Sequence, residues 1–124
     1  MSEIKYKRIM LKVSGEALAG PAHRGLDFDV INSVCKAIKE CTDLGVQVGL
    51  MVGAGNFWRG VKDGADKMQR SHADAMGMLG TVMNSIAVAD ALSKHGVDAR
   101  VLSAVEMHKF CEYFTRDLAD RYLN

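Results

Sequence analysis

A chain of 124 residues with 48% hydrophobic and 25% charged side chains has the size and balance of one modest domain with a buried core. Its 16 Lys and Arg against 15 Asp and Glu exclude the broad positive field that holds nucleic acid or an anionic membrane, so any phosphate must be held by a local site. The charged start, Met1 to Arg8, lacks the apolar run of a secretory signal, and no segment reads as the ~20 apolar residues of a membrane span, so a cytoplasmic protein is expected.

Ile9 to Val13 is a short apolar run followed at once by Ser14 and Gly15, the pattern of a buried strand entering a glycine turn. Ala17 to Leu26, with the only proline at Pro21, reads as a loop. Asp27 then caps a helix whose apolar positions Phe28, Ile31, Val34, Ile38, Cys41 and Leu44 follow the helical period, and Gly45 ends it. Cys35 and Cys41 lie six apart on that helix, roughly 9 Å of rise and beyond disulfide reach, so the three cysteines are expected as free thiols.

Val46 to Val52 is a second buried strand, ending in the small residues Gly53, Ala54 and Gly55 before Asn56. After a polar connection, His72 to Lys94 is expected to be helical. Ala75, Leu79, Val82, Ile86, Ala89 and Leu92 mark one face, but Met78, Met83 and Val88 make it apolar almost all round. Such a helix is expected to be buried in the fold or in a subunit interface. Gly96 ends it. Val97 to Leu102 alternates as a third strand, Ser103 with Glu106 forms a capping box for a short helix, and Thr115 opens a last helix. Strand and helix alternate without hairpin signals, which gives an α/β fold with a parallel sheet.

Two glycine loops thus fall at the C-terminal ends of strands, where open α/β sheets place their ligands. The first is Lys12, Val13, Ser14, Gly15, Glu16; the second is Gly53 to Gly60. Small residues let backbone N–H groups approach an anion, and Lys12 and Arg59 are the nearby cations. Each residue alone reads as an ordinary rim charge, and Asp74 as an early-turn acid favoured by the helix dipole. Together with the two loops they form a candidate phosphate site. A dinucleotide fingerprint is excluded because Trp58 occupies its third glycine position, and the Walker spacing is missing. Glu106, His108 and Cys111 do not make a metal motif, and no protein-held metal site is expected.

K-R-I-M-L-K-V-S-G-E-A-L-A-G from Lys7 to Gly20, V-G-A-G-N-F-W-R-G from Val52 to Gly60 and A-D-A-M-G-M-L-G-T-V-M-N from Ala73 to Asn84 resemble, in order and interval, the N-terminal signatures of bacterial uridylate (UMP) kinases. These belong to the amino acid kinase superfamily. The resemblance implies a three-layer αβα sandwich with a mainly parallel sheet, of which residues 1–124 are the N-terminal, nucleoside-monophosphate-binding part. It implies transfer of the γ-phosphoryl of Mg2+-bound ATP to UMP, giving UDP in pyrimidine biosynthesis, by a hexamer that can respond to GTP. Lys12 would neutralise the transferring phosphoryl, with Val13, Ser14 and Gly15 lining the phosphates. Gly55 and Ala54 would offer backbone N–H groups, Arg59 would clamp phosphate, and Asp74 would accept hydrogen bonds from the UMP ribose. Ala54 stands where many members carry a third glycine, at ~1 to 2 kcal/mol if that position is left-handed. The family's ATP-binding half is expected beyond Asn124, which leaves residues 1–124 inactive by themselves. A non-catalytic nucleotide-binding module and another small-molecule kinase of the superfamily are the alternative readings.

Overall fold

The computed structural model describes residues 5–58, 67–104, 107 and 109–124. The first strand, β1 (Arg8–Val13), pairs in parallel with β2 (Gln47–Val52), from Arg8 opposite Gln47 to Val13 opposite Val52. Alternation along the pleat sorts the two faces. Leu11 and Val13 of β1, with Val48, Leu50 and Val52 of β2, turn toward a core of Leu18, Ile31, Cys35, Ile38, Val88, Ala91 and Leu92. Arg8, Met10 and Lys12 occupy the other, exposed face.

The core face is covered by helices. Asp27 caps α2 (Phe28–Asp43) by accepting from the N–H groups of Asp29 and Val30, and Gly45 follows with φ 87°, a conformation that suits glycine. The long helix α3 (Arg70–Lys94) packs beside α2. On the opposite face lies α4 (Arg116–Leu123), capped by the Thr115 hydroxyl, which accepts from Leu118 N–H at 3.1 Å. Arg8 ties α4 to the sheet: its guanidinium donates to Asp120 and Asn124, each at 2.9 Å, and to Gln47 at 2.7 Å. Helices on either side of parallel strands give the expected αβα layering.

Four sequence expectations change. The expected loop from Ala17 to Leu26 is helical in its first part: Ser14 caps a short helix, α1 (Gly15–Ala19), and a single 3-10 turn (Gly20–Ala22) follows. The expected third strand is reduced to β3 (Leu102–Ser103), which pairs in parallel with β4 (Glu112–Tyr113) instead of extending the β1–β2 sheet. The reason is where the hydrogen bonds go: Glu112 N–H donates to Val101 and Phe114 N–H to Ser103. Ser103 is a strand residue; Glu106, its expected partner in a capping box, and His108 lie outside the described residues.

The other two changes concern α3. Its inward face is Ala73, Gly80, Val82, Asn84, Val88, Ala91 and Leu92, whereas Leu79 and Ile86, of the apolar face marked in the sequence, are 50% and 40% exposed. A helix apolar all round carries little information on its own rotation, and packing decides it. By length and composition α3 is also apolar enough to cross a membrane, contrary to the reading of the sequence, yet its buried residues supply part of the core. Cys35, Cys41 and Cys111 are free as expected, and burial pushes the Cys35 thiol up.

Candidate functional site

The two glycine loops meet. Gly53 N–H donates to the Val13 carbonyl at 2.9 Å, extending the ladder by one bond past the end of β2. A methyl group on Gly15 would lie 2.4 Å from the Gly55 nitrogen, 2.6 Å from Asn56 Oδ1 and 2.8 Å from the Ala54 carbonyl carbon. The absence of a side chain at Gly15 is thus demanded first by the approach of the second loop. That approach places Lys12, Val13, Ser14 and Gly15 beside Gly53, Ala54 and Gly55 at one edge of the sheet, as the sequence pattern anticipates.

The second loop is also seated on α3. Ala54 is buried, and a methyl group on Gly80 would come within 2.8 Å of the Ala54 side chain. Gly80 therefore makes room for Ala54. Ala54 has no left-handed backbone, so the expected strain of alanine at this position does not arise. Trp58 closes the loop by donating its indole N–H to the Ala73 carbonyl at 2.8 Å. Phe57 and Trp58 N–H both reach the Ala54 carbonyl, while the half-buried Gly55 N–H meets no acceptor among the described residues. A backbone amide so placed is suited to an anionic oxygen.

The individual side chains are placed as follows. Lys12 is exposed at the end of β1, on the face away from the core. The Ser14 hydroxyl already accepts from Ala17 N–H at 3.1 Å as a helix cap, which leaves its own proton for a ligand. Asp74 is exposed on α3, and its carboxylate is 3.2 Å from the Arg70 guanidinium, one turn earlier, with both side chains at least half exposed. Such a pair is weak enough for a ribose to displace. Arg59 lies outside the described residues. Among the described residues no cluster of His, Cys, Asp or Glu could hold a metal ion.

The amino acid kinase family model matches residues 7–123. The chain belongs to the amino acid kinase family. Among solved structures it is similar to a UMP kinase from Bacillus anthracis, with TM-score 0.88 and 29% identity over 95% of this chain and 49% of that one. A UMP kinase from Ureaplasma parvum gives TM-score 0.86 and 30% identity over 96% and 52%. The chain spans about half the length of these relatives.

In this amino acid kinase chain the loop region holds two residues that the sequence pattern did not single out as site residues. Asn56 and Asn84 are 4% and 0% exposed and exchange side-chain hydrogen bonds across the loop and α3, at 2.7 and 3.2 Å. The signal was an amide in the middle of an apolar helix, a group that must find partners when buried.

Proposed function

We propose that residues 1–124 are the nucleoside-monophosphate-binding part of a UMP kinase. The observation that carries this is the junction of the two glycine loops beside Lys12, within a chain similar over almost its whole length to two UMP kinases. Phosphoryl transfer asks mainly for positioning and charge stabilisation, with little covalent chemistry from the protein. In this reading Lys12 neutralises charge on the transferring phosphoryl. Gly15 and Gly55 let backbone approach the phosphates, with Val13 and Ser14 at their margin. Arg59 clamps the UMP phosphate, and Asp74 leaves Arg70 to accept from the ribose.

ATP and its Mg2+ belong to the donor side in this proposal. The whole enzyme is read as a cytoplasmic hexamer with a GTP response. The strip of Met76, Leu79, Met83 and Ile86, exposed on α3, is the surface assigned to a second copy. That same strip favours the second reading, an oligomerisation module that binds nucleotide without catalysis. Activity toward UMP separates the two, and replacing UMP by CMP, glutamate or carbamate separates other kinases of the family.

Holding donor and acceptor in line is worth ~7 to 11 kcal/mol, and these residues serve only the acceptor. A coupled UDP-formation assay with Mg-ATP is therefore expected to show no turnover by residues 1–124. Addition of the C-terminal half of a UMP kinase in trans is expected to restore it. Substantial turnover by the 124 residues alone contradicts the placement of the donor site outside them.

A further inference from the structure

Asn84 sits fully buried on α3 between turns that carry Val82 and Val88. Its Nδ2 donates to the Gly53 carbonyl and to Asn56 Oδ1, both at 2.7 Å. Asn56 Nδ2 donates in turn to Asn84 Oδ1 at 3.2 Å and to the Gly25 carbonyl at 2.6 Å. The two backbone carbonyls accept only from N–H groups, so they fix the orientation of both amides, and all four amide protons are used. Gly25 N–H also donates to the Asn56 carbonyl at 3.3 Å. Three separate pieces of chain, the loop after β2, α3 and the segment before α2, are joined through one pair of side chains.

We propose that Asn84 is a positioning residue for the acceptor site: its exchange with Asn56 fixes the shape of the 53–56 loop and ties that shape to the segment at Gly25. The proposal rests on the UMP-binding reading only for the identity of the ligand. Neither amide is exposed enough to serve as the main ligand contact, so Asn84 acts through the backbone it holds. Gly53 is gripped from two sides, its carbonyl by Asn84 and its N–H by Val13. Gly55, whose N–H points to no protein acceptor among the described residues, lies between Gly53 and Asn56 and is positioned by both. Hydrogen bonds that satisfy a buried network specify one arrangement, because any slip leaves a donor or acceptor without a partner in a medium of low dielectric.

The variant Asn84→Asp tests this with little change of shape. As a neutral acid it keeps one O–H donor for Gly53; as a carboxylate it is an acceptor only and faces the Gly53 carbonyl and Asn56 Oδ1. The hydrogen-bond partners of the pair are all neutral backbone or amide groups, so burial and these acceptors both raise the carboxyl pKa and the neutral form returns as pH falls. The experiment has two arms, amide NMR spectra of the ligand-free chain and UMP titration, each followed from neutral to acid pH for parent and variant. In the variant the amide signals of Gly53, Gly55 and Gly25 are expected to shift together at the higher pH and to return toward the parent at the lower. UMP affinity is expected to fall about tenfold or more at the higher pH and to recover on acidification relative to the parent, whose own change corrects for titration of the phosphate. If Asn84→Asp does not fold, Asn56→Asp carries the same expectation from the loop side.

Variant spectra that match the parent from neutral to acid pH for Gly25, Gly53 and Gly55 overturn the proposal. So does a shift of the loop signals that acid does not reverse. Failure of the parent to bind UMP rejects the functional reading alone, and the ligand-free spectra then decide whether Asn84 positions the loop.

Discussion

Gly15→Ala is expected to lower stability by roughly 1 to 3 kcal/mol and to weaken UMP binding about tenfold or more. The added methyl group would meet the Gly55 nitrogen at 2.4 Å, the Asn56 carboxamide at 2.6 Å and the Ala54 carbonyl carbon at 2.8 Å. Two of those atoms are backbone, so no side-chain rotation can relieve the contact. The loops must separate, which strains the Gly53 to Val13 hydrogen bond and disturbs the site they form. Gly77→Ala is the matched control: nothing lies within 4 Å of its added methyl, and alanine in a helix is favoured over glycine by about 0.5 to 1 kcal/mol. Urea denaturation and UMP titration of both variants check the pair. Equal effects of the two substitutions would show that the loops do not touch as described.

Leu18→Ala is expected to destabilise the chain by about 2 to 5 kcal/mol, the usual range for removing a buried leucine. Leu18 is 0% exposed in α1 and packs in the same core cluster as Ile31, Cys35 and Val88. Its backbone carbonyl also accepts from Asp27 N–H at 2.7 Å, which couples α1 to the start of α2. The comparison is Leu79→Ala on α3, where half the side chain is exposed and an effect under about 1 kcal/mol is expected for the isolated chain. Urea midpoints read both. A Leu18→Ala effect as small as that of Leu79→Ala would remove α1 from the core.

The elements that were legible in the sequence had redundant local signals. Asp27, the period from Phe28 to Leu44 and Gly45 agree on α2, and the apolar runs before Ser14 and Gly53 agree on β1 and β2. The meeting of the two loops follows from those strands being parallel neighbours. The short helix α1 escaped notice because five residues give no measurable period, and only the Ser14 cap announces it. The rotation of α3 escaped because its apolar residues surround it, while the tertiary fit of Gly80 under Ala54 and of Asn84 under Gly53 decides which side turns in. Asp74 was legible as a residue, but not its ion pair with Arg70. The third strand looked sound by alternation, yet alternation does not say which neighbour pairs with it, and Glu112 and Phe114 donate to its Val101 and Ser103 carbonyls.

Calorimetric titration of residues 1–124 with UMP and with uridine, repeated on Arg59→Ala, tests the acceptor-site account most directly. The parent is expected to bind UMP more tightly than uridine, by the roughly 10- to 150-fold that a charge-assisted contact of ~1.5 to 3 kcal/mol supplies, and Arg59→Ala is expected to remove most of that margin while leaving uridine binding nearly unchanged. Equal affinity of the parent for UMP and uridine, or an equal loss for both ligands in Arg59→Ala, would contradict it.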